Sequence, residues 1–267
     1  MDRAGQLVEK IRGALRTAFR LAVAGQDMSS RRELLRLRFR PSSPGRPVDV
    51  RVRQLGGESF RLRPGTSDIY AFGDRFVDFY HLPPAEIRDR ELATIVDLGA
   101  NIGVSLAALA VRYPQARLFG IEADAENAAL AEANTAAWRD RCTIVNSACW
   151  DREADLVVEG TEASGYSVRE AGPGDPAAVR SVRGRPLDSL LPEGLIDYVV
   201  MEVEHTEQRL LTNNTAWAER VRALRVECYP EGDYRQADTV NDLTALGFRA
   251  RGEPNPLGGY AIGIRDL

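Results

Sequence analysis

The stretch Ile95-Val96-Asp97-Leu98-Gly99-Ala100-Asn101-Ile102-Gly103-Val104-Ser105 decides the fold class of this chain. Its apolar residues predict a buried strand, its two glycines a tight turn, and its last residues the start of a helix. A ligand is expected to lie across that turn. A second apolar strand ends in Glu122, where a carboxylate can accept hydrogen bonds from both hydroxyls of a ribose. Together the two stretches predict a nucleoside-binding half of a parallel sheet.

The glycine spacing bears on which nucleoside binds. Dinucleotide sites use Gly-x-Gly-x-x-Gly so that backbone amides approach a pyrophosphate, but here Asn101 stands near the middle glycine's position. Asp97 adds negative charge, which is unfavourable beside phosphate and favourable beside a cation. S-adenosylmethionine, with an ammonium, a sulfonium and no phosphate, therefore fits better than a nicotinamide or flavin dinucleotide. A glycine turn that only joins a strand to a helix would leave the carboxylates at both strand ends unexplained.

Seven residues around these strand ends are expected to bind the cofactor. They are Asp97, Gly99, Asn101, Gly103, Glu122, Ala123 and Ser147. A branched side chain at either glycine is expected to fill the channel for the methionine portion while leaving the protein folded.

Composition bounds the class of protein. The 267 residues are 44% hydrophobic and 28% charged, enough for one sizeable core with appendages. A net charge of −4 without a basic cluster argues against a nucleic-acid partner. Three cysteines without Cys-x-x-Cys spacing favour neither disulfides nor a zinc site, so a reducing cytoplasm is expected. No stretch approaches the roughly 20 apolar residues that span a bilayer, so no membrane association is expected.

The first 90 residues predict an N-terminal cap. Residues 5–24 predict an amphipathic helix, expected to pack against the main domain or a second copy of the chain rather than a membrane surface. Its apolar face contains Leu7, Ile11, Ala14, Leu15, Ala18 and Ala22. A linker is expected at 40–47, and strands 48–53 and 59–63 predict a hairpin. Five aromatic residues are expected either to form the core that joins the cap to the sheet, or to shield the sulfonium and wall the acceptor pocket. They are Tyr70, Phe72, Phe76, Phe79 and Tyr80.

Residues 91–267 predict an α/β core of the doubly wound, Rossmann-like type. The expected strands are 94–98, 117–122, 142–148, 196–202 and 222–228, and the expected helices are 103–112, 125–137, 206–212 and 236–246. Residues 152–186 interrupt this alternation with glycine, proline and charge, which predicts an irregular or hairpin insertion over the site. Strands 248–253 and 260–264 predict a closing antiparallel hairpin, giving a seven-stranded methyltransferase sheet.

Five stretches resemble the FkbM family of class I methyltransferases. They are Arg63-Pro64-Gly65-Thr66-Ser67-Asp68, Val96 to Gly103, Glu122-Ala123-Asp124, Pro186 to Leu191, and Ile196 to Glu204. The resemblance covers roughly residues 60–250 and implies adenosylmethionine-dependent methylation of hydroxyl groups on sugars, polyketides and other bacterial metabolites. The family usually reads Asp-x-Glu-Gly-x-Glu after its fourth strand, whereas residues 202–207 read Glu-Val-Glu-His-Thr-Glu, which leaves substrate and catalytic details open.

Methyl transfer from a sulfonium is an in-line displacement, and an alcohol acceptor must also lose a proton. Glu202, Glu204 and His205 follow the fourth strand and are the candidate catalytic residues. Strand alternation is expected to point the two glutamates to one side, as a coupled base or, with Glu227, a Mg²⁺ clamp. The metal is not favoured. Helix capping is the alternative for Glu204 and Glu207, and a noncatalytic exposed loop position is the alternative for His205.

The sequence therefore predicts a cytoplasmic O-methyltransferase with a small-molecule or glycoside acceptor. The N-terminal helix is a candidate for a homodimer contact. Two alternatives stay open: an adenosylmethionine-binding protein that has lost catalysis, and a dinucleotide-dependent oxidoreductase. The second is disfavoured by Asn101 and by the absence of a Tyr-x-x-x-Lys dyad, since Lys10 is the only lysine.

Overall fold

A computed structural model describes residues 3–40, 45–160, 165–175, 180–229, 233–254 and 259–266, with residues 3–12 as backbone only. The chain divides into two compact units, Met1–Tyr80 and His81–Leu267. The second unit begins ten residues before the boundary expected from the sequence, because the hydroxyl of Tyr198 donates to the carbonyls of His81 and Leu82 at 3.2 and 3.3 Å.

The first unit combines three helices with a two-stranded sheet in its described residues. Its elements are α1 (Arg3–Ala24), α2 (Met28–Phe39), β1 (Val48–Arg51), β2 (Ser59–Leu62) and α3 (Asp68–Phe76). The predicted hairpin is confirmed, with Val50 opposite Phe60 in an antiparallel pair. Helix α2 falls where no helix was expected; Asp27 caps it by accepting the amide of Ser30 at 2.8 Å.

Aromatic side chains form the interior of the first unit. Phe60, Phe72 and Phe76 are buried, with ring centroids 4.8 to 6.1 Å apart. These contacts place Phe72 and Phe76 in the core of the first unit, and the expected core between cap and sheet stays a prediction. On the predicted helix α1, Leu15 is 65% exposed although it belongs to the face expected to be covered. The homodimer contact proposed for that face stays a prediction.

The second unit alternates strands and helices along the chain. Its elements are α4 (Ala85–Arg88), β3 (Thr94–Leu98), α5 (Val104–Arg112), β4 (Arg117–Glu122), α6 (Ala125–Asn134), β5 (Cys142–Asn146), β6 (Ala148–Trp150), β7 (Ala154–Glu159), β8 (Ser167–Glu170), β9 (Ser181–Pro186), α7 (Leu187–Leu190), β10 (Ile196–Met201), α8 (Glu207–Thr212), β11 (Val221–Glu227), α9 (Gln236–Ala245), β12 (Arg249–Glu253) and β13 (Tyr260–Ile264).

Seven strands form the main sheet in the order β12-β13-β11-β10-β3-β4-β5. Strands β11, β10, β3, β4 and β5 run parallel, while β13 is antiparallel to both of its neighbours. The doubly wound fold and the closing hairpin are thus confirmed. The chain moves outward from β3 to β5 and then returns to β10 on the other side of β3. In such sheets, ligands bind beyond the carboxyl ends of the strands at this change of direction.

The insertion, expected to be irregular or a hairpin, contributes β7, β8 and β9 to a second sheet of four strands in the order β6-β9-β7-β8. Strands β7 and β8 form a hairpin, and β6 pairs in parallel with β9. The single strand expected at 142–148 is wrong, because the chain leaves the main sheet at Ser147. There the backbone amide donates to the carbonyl of Glu122 at 3.0 Å and the hydroxyl to that of Arg183 at 2.9 Å. Over the described ranges, no helix is long and apolar enough to cross a bilayer.

Candidate functional site

A cleft opens at the carboxyl ends of four neighbouring strands of the main sheet and holds about 370 Å³ of empty space, part of it open to solvent. The residues that line it follow the order of the strands in the sheet. Residues 147–149 come after β5, residues 121–123 lie at the end of β4, Gly99 follows β3, and residues 203, 204 and 206 follow β10. Five predicted site residues line this cleft, namely Gly99, Glu122, Ala123, Ser147 and Glu204. Five others lie outside its lining, namely Asp97, Asn101, Gly103, Glu202 and His205.

Glu122 is the last residue of β4 and is 7% exposed. One carboxylate oxygen accepts the backbone amide of Asn101 at 2.8 Å, and the other accepts that of Asp124 at 2.9 Å. Burial raises the pKa of Glu122 to about 7 despite these two donors. The side chain of Asn127 also hydrogen-bonds to this carboxylate, so of its roughly four lone-pair positions about one is left for a ligand hydroxyl.

The two glycines of the turn serve close packing. Gly99 has φ of 85°, and a Cβ there would lie 1.8 Å from the carbonyl oxygen of Glu202. Gly103 has φ of 81°, and its Cβ would lie 3.1 Å from the Cα of Ala131 in α6. The expectation that a side chain at either glycine blocks the methionine channel in a folded protein is therefore corrected. A side chain at Gly99 would collide with the backbone after β10, and one at Gly103 with α6.

Asn101 and Asp97 flank the cleft from the turn and from β3. Asn101 has φ of 48°, and its side-chain oxygen is buried with no hydrogen-bond partner. Asp97 is 2% exposed and pairs in register with Val200 of β10. A buried acceptor without a donor suits a ligand that brings N–H groups, such as an ammonium. No basic residue lines the described part of the cleft, and its charged residues are Glu122 and Glu204. These residues fit a cationic nucleoside better than a phosphate.

The segment after β10 leaves strand geometry at once. The amide of Glu202 still donates to the carbonyl of Leu98 at 2.9 Å, but Glu204 and His205 have φ of 50° and 71°. Strand alternation therefore ends before Glu204, and the expectation that it places Glu202 and Glu204 on one side is wrong. Only Glu204 lines the cofactor cleft.

Three glutamates and a tyrosine surround this segment. Burial, followed by the charges of Glu227 and Glu207, raises the pKa of Glu204 to about 8. Burial also raises the pKa of Glu207 to about 7, and its carboxylate accepts the amide of Val203 at 3.1 Å. This hydrogen bond joins Glu207, the first residue of α8, to Val203 and so stabilises the loop between β10 and α8. Of the candidate bases, Glu204 combines a place in the cleft with a pKa suited to proton removal near neutral pH.

His205 lies beside a second cavity rather than in the first. Its ring centroid is 4.6 Å from that of Tyr229, whose hydroxyl donates to Glu227 at 2.9 Å. Both rings line a space of about 630 Å³, together with Glu207, Glu227 and neighbouring residues. In the described part of the chain, no three or more histidine, cysteine or acidic side chains form a group that could hold a metal ion.

Several residues that line the cleft could not be predicted from the sequence. Tyr166 and Val168 come from the insertion, where glycine and charge hide their role, and no motif singles out Cys149. Thr206 could not be recognised as a cleft residue from the sequence, because threonine is common near the start of a helix. Tyr229 lies two residues beyond Glu227, and only the fold shows that its ring meets His205.

No family model and no curated protein matches the chain. Solved structures similar to it include precorrin-6y C5,15-methyltransferase from Geobacter metallireducens GS-15, at 12% identity and TM-score 0.42 over 68% of this chain and 85% of that one. The mitomycin 7-O-methyltransferase MmcR has 18% identity and TM-score 0.38 over 66% of this chain, which spans about half (49%) of its length. Aeropyrum pernix fibrillarin with bound S-adenosyl-L-methionine has 11% identity and TM-score 0.42 over 65% and 67% of the two chains. Similarity at this level does not establish a shared activity.

Proposed function

We propose that the chain is an S-adenosylmethionine-dependent methyltransferase that transfers a methyl group to a hydroxyl of a small molecule or sugar in bacterial metabolism. One observation carries the proposal: the cleft at the change of strand direction has a buried carboxylate in its middle and a second carboxylate at one end. Glu122 and Glu204 lie on either side of Gly99 in the order of the strands. The FkbM resemblance supports the same assignment.

In this proposal, acidic and polar side chains bind the nucleoside through hydrogen bonds and charge. Beside its bonds to Asn101, Asp124 and Asn127, Glu122 keeps about one acceptor position, which suits a hydroxyl of a ribose. The buried side-chain oxygen of Asn101 suits an ammonium group, and Asp97 adds negative charge within β3. When bound, adenosylmethionine supplies an electrophilic methyl group. The absence of basic lining residues in the described cleft favours this cation over a dinucleotide.

Proton removal from the acceptor falls to Glu204 in this proposal. Its carboxyl lies in the cleft, and its pKa of about 8 leaves a fraction ionised at neutral pH while keeping the base strong. A positioned base contributes about 10²- to 10⁴-fold to such a step, and alignment of the acceptor contributes more. His205, which lines the second cavity, is proposed to act at the acceptor side, and so is Glu202, which lies outside the lining of both cavities.

Calorimetry with adenosylmethionine and NAD in parallel tests the cofactor, and an acceptor screen with a radiolabelled methyl donor tests the reaction. Glu204→Gln should keep adenosylmethionine affinity within about threefold and lower turnover by at least ~10²-fold. Glu219→Gln, an exposed position between α8 and β11, is the matched control and should retain full turnover. Binding of NAD but not adenosylmethionine would favour the oxidoreductase. Binding of adenosylmethionine with no transfer to any acceptor would favour the noncatalytic alternative.

A further inference from the structure

The cleft has an apolar end on the side of β5 and β6. Ala123 and Val168 pack against the small core that contains Ala148, and all three residues line the cleft. Tyr166, which directly precedes β8, also lines the cleft together with Val168 of that strand. The second sheet therefore contributes an aromatic ring and an apolar side chain to one end of a cleft whose middle is Glu122.

Arg180 connects this ring to the turn after β4. Its guanidinium carbon lies 4.8 Å from the ring centroid of Tyr166, and its Nη1 lies 3.2 Å from a carboxylate oxygen of Asp124. Asp124 is 5% exposed in its side chain and caps α6 by accepting the amides of Glu126 and Asn127. The ring of Tyr166 is thus linked, through one arginine, to the residue whose amide also binds Glu122.

We infer that Tyr166 provides the surface on which the adenine ring of the bound cofactor stacks, and that Arg180 is a positioning residue for that ring. The inference rests on the proposed function. With Glu122 at the ribose, the base must lie beside it in the cleft. On the β3 and β10 side the lining contains Glu204 and no aromatic ring, whereas toward β5 it is apolar and aromatic. The face of an aromatic base gains most from stacking on the apolar, aromatic side.

The stacking role predicts a loss that is the same for every ligand with an adenine. Titration calorimetry of the full chain with adenosylmethionine, S-adenosylhomocysteine and adenosine should show Tyr166→Ala weakening all three by about 5- to 100-fold. Tyr166→Phe keeps the ring and should stay within about twofold. Tyr70→Ala is the matched control, since Tyr70 also has an arginine, Arg38, 4.9 Å from its ring centroid but belongs to the first unit. It should bind like the unaltered chain.

A double-mutant cycle separates positioning from general damage. Arg180→Gln should weaken adenosine binding by about threefold in the unaltered chain and have no further effect in Tyr166→Ala, because the arginine acts through the ring. Additive losses would refute the positioning role. Adenosine affinity of a folded Tyr166→Ala protein within twofold of the unaltered chain would overturn the stacking role while leaving the methyltransferase proposal intact. Failure of the unaltered chain to bind adenosylmethionine would overturn both.

Discussion

Replacing Glu122 by alanine tests the nucleoside site at its centre. The carboxylate is 7% exposed, lines the cleft, and already bonds to two backbone amides and the side chain of Asn127, which leaves about one acceptor position. A hydrogen bond to a charged group is worth about 1.5 to 3 kcal/mol. We therefore expect Glu122→Ala to weaken adenosylmethionine binding by roughly 10- to 200-fold.

The raised pKa adds a second, independent expectation. If only the ionised carboxylate accepts the ribose hydroxyl, affinity should fall as pH falls through about 7. A single titration at that value gives a dissociation constant about tenfold larger at pH 6 than at pH 8. Glu122→Ala should lose this dependence. Because Glu204 ionises in the same cleft, Glu204→Gln should be measured alongside and should retain it.

Calorimetry between pH 6 and 8 provides both quantities, and Glu132→Ala, an exposed position on α6, provides a matched control that should behave like the unaltered chain. Loss of two buried acceptors for the amides of Asn101 and Asp124 should also lower the free energy of unfolding, so folding is checked by circular dichroism. An affinity of Glu122→Ala within threefold of the unaltered chain would refute the ribose assignment. If the dissociation constant of the unaltered chain does not change between pH 6 and 8, the expectation that ionisation of Glu122 controls binding is refuted.

Three further outcomes are expected. Gly99→Ala should lower the free energy of unfolding by at least ~3 kcal/mol, because its Cβ meets a backbone oxygen, whereas Gly194→Ala, with φ of 83° and open space around it, should cost only about 1 kcal/mol in denaturant unfolding. The pKa of Glu204 is raised on folding, so stability should fall as pH rises from about 4.5 to about 8, by up to ~1.4 kcal/mol per unit from this group. In urea titrations Glu204→Gln should show a shallower fall, because Glu122 and Glu207 also have raised pKa values; a fall as steep as that of the unaltered chain would refute the assignment. His205→Ala should lower turnover by at least ~10²-fold with affinity for the methyl donor within threefold; full turnover would make its stacking on Tyr229 purely structural.

The main sheet can be predicted because its signals are local and repeated. Apolar runs such as 94–98 and 117–122 are bounded by turns, and a parallel sheet is the arrangement that buries alternating strands and helices. Glu122 can be assigned for the same reason, since its role depends only on its place at the end of a strand. Expected ends differ by a few residues, as at α6, which ends at Asn134 instead of 137 because the chain continues as a short 3₁₀ turn.

The rest of the site depends on contacts between distant segments. No local pattern shows that Ser147 turns the chain into a second sheet, since both parts of 142–150 are suitable strands. Tyr166 lines the cleft only because that second sheet exists. The positive φ angles of Glu204 and His205 could not be predicted from the sequence either, because glycine is the residue expected in such a conformation. Alternation therefore fails at the one segment where it was used to assign catalytic residues.

That segment links the two halves of the site. Two adjacent residues other than glycine in the left-handed region carry a conformational cost, which persists only where the surroundings hold the backbone. Here the carboxylate of Glu207 binds the amide of Val203, and the carbonyl of Glu202 lies against Gly99. The cofactor turn and the acidic loop are therefore fixed against each other by backbone contacts, which brings Glu204 into the cleft. In the proposed methyl transfer, this backbone support would hold Glu204 in a fixed position toward the acceptor, which an in-line displacement requires.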